Sequence, residues 1–179
     1  MEYYGKNNDK RQEIEDLMKA PILYQSISVV KIEMVREGRS LYGMGRLLDS
    51  ETAAKTVYPL VARADREMFL VMSLDSHMLP VALEFVSVGG MDSCPLDMRN
   101  VFKHAILSNA SCLICFHNHP SGNVEPSRED RLATERIKES GELLGIQLAD
   151  HIILGENGTY YSFRTEEGLN NSEKGESAA

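Results

Sequence analysis

Apolar and polar positions along the chain follow two periods, and the switches between them predict the elements. Ile14, Leu17 and Met18 recur at helical spacing, so a short helix is expected over roughly Asp9 to Lys19, ahead of Pro21. Ser26 to Val35 alternates loosely through Ile27, Val29, Val30, Ile32 and Met34 and is rich in β-branched residues, which is a strand pattern. Glu37-Gly38-Arg39-Ser40 is a turn signal that a second short strand would follow. Ser50-Glu51 opens a helix with Ala53, Val57 and Val61 on one stripe, and Pro59 is expected to kink or end it. Two apolar runs, Met68 to Leu74 and Val81 to Val88, flank the polar turn Asp75-Ser76-His77. They predict a hairpin whose strands are buried on both faces.

Helical spacing returns over Asp92 to Ser108, with Met98, Val101, Phe102, Ala105 and Ile106 on one stripe. Leu113 to Phe116 is a short buried strand that runs straight into His117-Asn118-His119-Pro120. A polar, Gly- and Pro-containing loop follows as far as Pro126. Ser127 opens a second amphipathic helix carrying Leu132, Ala133, Ile137, Leu143 and Leu144, and Gly145 is placed to end it. Strands near Leu148 to Leu154 and Thr159 to Phe163 close the pattern, with Asn157-Gly158 as the turn between them. Strands alternating with helices predict an α/β domain, and the hairpin makes its sheet mixed. The division that follows is a polar, partly helical segment over residues 1–20, a folded domain over 21–164, and a disordered acidic tail over 165–179.

Composition narrows the function. The chain has 179 residues, enough for one domain with little room for a second, and 42% of them are apolar. Nineteen basic residues against 27 acidic ones give a formal net charge of −8, which argues against direct nucleic-acid binding by a basic surface. No run of about 18 apolar residues predicts a membrane span, and the N-terminus lacks the apolar stretch of a secretory signal. Three cysteines make no disulfide framework, so a cytoplasmic, reduced protein is the expectation. Cys112 and Cys115 fall in an apolar run and read as buried hydrophobes, whereas Cys94 sits in a loop without a suggested partner. His77 and His104 read as exposed, and Arg99, Lys103, Arg128 and Arg131 as solvated helix faces.

The segment His117 to Asp130, HNHPSGNVEPSRED, carries chemistry. In a strand, residues i and i+2 point to the same face about 6.6 Å apart, so His117 and His119 would converge on one tetrahedral metal ion. A third ligand has to come from elsewhere. Asp130, one turn inside the following helix, is the natural candidate once the loop folds that helix start back over the histidines. Three protein ligands leave one position open for water, the pattern of a catalytic rather than a structural zinc (Zn2+) site. A His-x-His pair also occurs on strands with no metal role. Likewise Ser127-x-x-Asp130 reads equally as a capping box, with Ser at the N-cap and an acid at N3. Glu84 interrupts the apolar run Val81 to Val88. It is either a water-facing group on an edge strand or, beside a metal site, a general base. Asn118, between the two histidines, points to the opposite side and is read as tying down the loop. His151, in Asp150-His151, either lines the site or satisfies a core hydrogen bond, and the second reading is preferred.

Glu84, His117-x-His119, then seven residues to Ser127 and two more to Asp130 resemble the JAMM motif of the MPN-type metalloproteases. The variant HNHPSG followed by PSREDRLATERIKESGELLGIQLADHIILG is similar to the bacterial RadC-like family, over about Tyr42 to Leu169. The resemblance implies a fold like that of cytidine deaminases, a curved mixed sheet flanked by helices. It implies zinc on His117, His119 and Asp130, with Glu84 as general base and Ser127 on the oxyanion. It implies a peptide, isopeptide or related amide bond in a peptide or protein-conjugate substrate, and it leaves a homo-oligomer open. RadC-like proteins often carry a helix-hairpin-helix region taken to bind DNA. Residues 1–60 are too short for it and lack its hairpin glycine, so the expectation is the metalloprotease-like domain alone. A DNA-repair or mobile-element accessory role is the alternative.

Overall fold

The computed structural model describes residues 45–89 and 96–169, together with Asp16 and Lys19. Asp16 and Lys19 lie in helical backbone within the predicted first helix. The predicted strand Ser26 to Val35, the turn Glu37 to Ser40 and Cys94 fall outside the described residues.

Helix α1 (Ser50–Val61) begins where the Asp49 carboxylate accepts the Thr52 N–H at 2.7 Å, a side-chain N-cap. Pro59 does not stop it, because the helix runs two residues further and ends at Val61. The hairpin follows as β1 (Met68–Leu74) and β2 (Pro80–Val88), then α2 (Met98–Leu107), β3 (Cys112–Asn118), α3 (Arg128–Leu144), β4 (Gln147–Leu154), a 3-10 turn (Glu156–Gly158), β5 (Tyr160–Ser162) and α4 (Phe163–Glu167). The strands form one five-stranded sheet in the order β2-β1-β3-β4-β5. β3 and β4 are parallel and the other pairings antiparallel, which makes the sheet mixed.

Both faces of the sheet are covered. α1 packs Ala53, Val57 and Val61 on one face against Leu70, Met72, Ile114 and Phe116. On the other face, Val101 and Phe102 of α2 and Ile137 of α3 meet Phe69, Val71, Leu113 and Cys115. Every residue of β3 is buried, as its apolar run predicts for a central strand. Cys112 and Cys115 are free thiols inside this core, and burial pushes both thiols up. Gly145 ends α3 in the left-handed conformation, with φ of 69°.

Five expectations need correction. Leu132, Leu143 and Leu144, expected on the apolar stripe of α3, are exposed, and the helix buries Thr134, Ile137 and Gly141 instead. β2 is an edge strand: its burial alternates, and Val81, Leu83 and Phe85 are exposed by 37%, 38% and 46%. Its apolar run implied burial on both faces, but no further strand among the described residues lies outside it. α2 starts at Met98, where the Asp97 carboxylate accepts the Arg99 N–H, rather than at Asp92; residues 90–95 are outside the described set. His104 is buried beneath α2, not exposed. Thr165–Leu169, placed in a disordered tail by composition, belong to or follow helix α4. There Ser162 caps the helix, Phe163 is buried, and Glu167 pairs with Arg131 of α3. Among the described residues no helix is long and apolar enough to cross a membrane.

Candidate metal centre

The C-terminal end of β3 and the first turn of α3 meet above the α2/α3 face of the sheet. His117 is the penultimate residue of the buried strand β3, and its ring stacks on Phe69 of β1 with centroids 6.1 Å apart. His119 follows the strand and stays held to the sheet by its own N–H, which donates to the Leu154 carbonyl at 2.9 Å. Asp130 is the N3 residue of α3. The capping box expected from sequence is present: the Ser127 hydroxyl accepts the Asp130 N–H at 3.1 Å, and Asp130 Oδ2 accepts the Ser127 N–H at 2.7 Å. The Ser127 hydroxyl proton also goes to Oδ2, at 2.6 Å. Ser127 thus caps the helix and aims the carboxylate, and Oδ1 is left facing His117.

The donors converge. His117 Nε2 lies 3.0 Å from His119 Nε2 and 3.1 Å from Asp130 Oδ1, and His119 Nε2 lies 3.5 Å from Oδ2. A tetrahedral zinc with bonds of about 2.0–2.1 Å has ligand atoms about 3.3–3.4 Å apart, so these separations match the edges of its coordination shell. The protons agree with this. His119 Nδ1 lies 2.7 Å from the Asn123 carbonyl, which only accepts, so Nδ1 carries the hydrogen and Nε2 the lone pair. Among the described residues, His117, His119 and Asp130 form a group able to hold a metal ion, with ligand atoms within 4.8 Å of one another. Electrostatics point the same way. Burial alone would raise the Asp130 carboxyl, but the His117 and His119 rings beside it and the Ser127 hydroxyl outweigh it and hold the group well below the usual carboxylate range. The Asp130 carboxylate, which would accept a proton-bearing Nε2, raises His119 against the effect of burial, helped by the Asn123 carbonyl and the charge of Glu67. Positive charge is favoured among these donors.

Glu84 is not brought to this cluster. It pairs with Val71 across β1, and Val71 pairs with Cys115, so Glu84 stands two strands and two residue levels from His117. At about 4.8 Å per strand and about 3.3 Å per residue, their Cα atoms are roughly 12 Å apart. Its charge is felt instead by His104, which bonds Ser73 through Nδ1 at 2.9 Å. The charge of Glu67, by contrast, reaches His119. Extending the pairing Phe69 with His117 by two residues sets Glu67 level with His119 on the same face of the neighbouring strand. Its backbone is clamped on both sides by Asn118, whose Oδ1 accepts the Met68 N–H at 2.9 Å and whose Nδ2 donates to the Arg66 carbonyl at 3.1 Å. Asn118 therefore ties down the start of β1 rather than its own loop. Glu67 escapes a sequence reading because it precedes an apolar strand, an unremarkable place for a carboxylate, and only register puts it beside His119.

His151 of β4 is fully buried and hydrogen-bonded to His117, so both sequence readings of it hold. Its neighbour Asp150, also buried, accepts the Ser50 and Ser162 hydroxyls at 2.7 Å each and the Arg164 N–H at 3.0 Å, which ties α1, β5 and α4 to β4. A cavity of about 370 Å³ opens beside His119, lined by Tyr58, Ala62, Asn118, Pro120, Gly155 and Asn157 among others.

A mixed sheet between helices, with a His-x-His strand end facing a capped Asp, defines an α/β domain with a donor set that fits a JAMM-type zinc site. The model of the RadC-like JAB domain matches residues 47–169, more than two thirds of the chain, and the chain belongs to that family. A Thermotoga maritima protein described as a UPF0758 protein is 41% identical over 128 residues, covering 72% of this chain and 57% of its own length. Relatives with that description from Methanosarcina barkeri and Porphyromonas gingivalis are 41% identical over 110 residues and 37% over 123; these matches cover 62% and 69% of this chain and 48% and 54% of the relatives. The chain thus spans about half the length of the curated relatives it matches.

Proposed function

We propose that this domain is a zinc-dependent hydrolase that cleaves a peptide, isopeptide or related amide bond in a peptide or protein-conjugate substrate. The observation that carries the reading is the convergence of two Nε2 atoms on each other and on the Asp130 carboxylate, Oδ1 toward His117 and Oδ2 toward His119, at separations near a tetrahedral edge. His117, His119 and Asp130 would hold the ion. When bound, zinc would supply Lewis-acid polarisation of a water and of the substrate carbonyl.

The chain's own groups divide the remaining work. Glu67, rather than Glu84, takes the proton of the attacking water and delivers it to the leaving amine nitrogen, because its charge reaches His119 and its place just before β1 is clamped by Asn118. Ser127, exposed at the rim, keeps Asp130 oriented, and its hydroxyl would serve a developing oxyanion by turning its proton away from Oδ2. The cavity beside His119 accepts a substrate side chain.

Metal analysis paired with a peptide and isopeptide screen tests this. About one zinc per chain is expected. Glu67→Gln should keep the metal and lose about 10²–10⁴-fold in turnover, whereas Glu84→Gln should stay within a few-fold of wild type. A purified chain that takes up no metal at neutral pH would sink the reading. Loss of turnover in Glu84→Gln with Glu67→Gln fully active would return the base to Glu84.

A further inference from the structure

Behind the donor cluster runs a buried hydrogen-bond chain that joins two of the three ligand residues by a second route. Thr134, one turn after Asp130 on α3, places its hydroxyl 2.7 Å from the Asp130 carbonyl and 2.6 Å from His151 Nδ1. His151 Nε2 lies 2.9 Å from His117 Nδ1. Thr134 and His151 are both buried, at 3% and 0% exposure.

We propose that Thr134 and His151 are positioning residues that fix His117 in the tautomer with its proton on Nδ1, so that Nε2 presents its lone pair to a metal. The inference rests on the metal reading above, and its argument is one of counting protons. A carbonyl only accepts, so the single hydroxyl proton of Thr134 goes to Asp130. The Thr134 oxygen must then accept from His151, which puts a proton on His151 Nδ1. His151 is sandwiched between Phe163, stacked at 5.1 Å, and Phe69, tilted at 5.5 Å, and a second proton there would be a buried charge between two aromatic rings. Nε2 of His151 therefore carries a lone pair and accepts from His117 Nδ1. The neutral His117 ring is left with its lone pair on Nε2, the atom that faces His119 and Asp130. His119 reaches the same state by a different route, through the Asn123 carbonyl.

The device ties the ligand geometry to the helix register. The turn of α3 that delivers the Asp130 carboxylate also delivers, through the Asp130 main chain, the acceptor that starts the chain. A shift of that turn would move one ligand and release the tautomer of another. Ligating histidines are ordinarily oriented by an acceptor on their second nitrogen, and loss of that acceptor costs about 10–100-fold in metal affinity. Here the acceptor is a neutral imidazole that accepts only because Thr134 holds its other nitrogen protonated.

Thr134→Val tests this with almost no change of volume. It strands the proton on His151 Nδ1 in a buried site. Moving that proton to Nε2 obliges His117 Nδ1 to accept and places the His117 proton on the metal-facing nitrogen. Two readouts are needed: zinc affinity by chelator competition, and the His117 tautomer from ¹⁵N shifts of the metal-free protein at mildly alkaline pH. Thr134→Val should bind zinc about 10–100-fold more weakly and lose the pure Nδ1–H signature, and Thr134→Ser should restore both. A wild-type His117 protonated on Nε2 would overturn the proposal. So would a folded Thr134→Val protein with wild-type zinc affinity and tautomer. If wild type binds no zinc, the hydrolase reading fails, while the tautomer measurement still decides the role of Thr134 and His151.

Discussion

Zinc removal should lower the melting temperature by an amount set by where the ligands come from. His117 and His119 are close in sequence, but Asp130 is brought to them only when the first turn of α3 packs over the end of β3, so the full donor set exists in the folded state alone. A ligand that binds only the fold stabilises it by RT ln(1 + [L]/Kd), about 2.7 kcal/mol at a free concentration about 100 times Kd. At roughly 2–4 °C per kcal/mol for a chain of this size, the expected shift between zinc and chelator is about 5–11 °C. Asp130→Asn isolates the cause. Its amide oxygen can still accept the Ser127 N–H, so the cap survives at a cost of about 1 kcal/mol or less, but the anionic ligand is gone. Scanning calorimetry of both proteins, with zinc and with chelator, should show the shift in wild type and almost none in Asp130→Asn. Wild-type melting temperatures that coincide within about 1 °C under the two conditions would refute the reasoning, as would an undiminished shift in Asp130→Asn.

Three further outcomes follow from groups away from the ligands. Asp150→Ala strips the acceptor from Ser50, Ser162 and Arg164 N–H at once, and chemical denaturation should show a loss of about 3–5 kcal/mol; a loss below about 1 kcal/mol would mean the three donors re-pair freely. Burial holds His104 below its ordinary 6.5, so the unfolded chain binds a proton that the fold refuses. The stability tied to His104 is therefore fully present above pH 6.5 and falls, by up to about 1 kcal/mol per unit, as the pH drops below it. His104→Gln should flatten that acid limb, and parallel wild-type and variant slopes between about pH 7 and pH 5 would contradict the assignment. Gly141→Ala should destabilise by thermal melt despite the higher helix propensity of Ala, because Gly141 is buried and the new Cβ would run into the Ile146 carbonyl; a stabilised variant would disprove the close approach.

The His-x-His pair, the capped Asp130 and the glycine that ends α3 were legible because each depends on residues within one turn or one strand period of one another. The same locality explains the alternation of strands and helices and the core stripes of α1 and α2, but not that of α3, where Leu132, Leu143 and Leu144 face outward. Errors arose where a neighbour distant in sequence decides the environment. An apolar run reads the same in a central strand and at an edge, so β2 was expected to be buried on both faces when only its position in the sheet order exposes one row. Glu84 stood out because its sequence neighbours are apolar, whereas the charge of Glu67 reaches His119 because β1 runs antiparallel to β3 and starts beside its end. His104, Thr134 and His151 carry no local signal, and their roles come from partners 31, 17 and 34 residues away. Sequence by itself determined which side chains can ligate and which faces they share, since those follow from the covalent geometry of helix and strand. Tertiary structure alone decided which carboxylate stands beside them and which nitrogen of each histidine keeps its lone pair, since both depend on pairing between segments that the chain brings together only on folding.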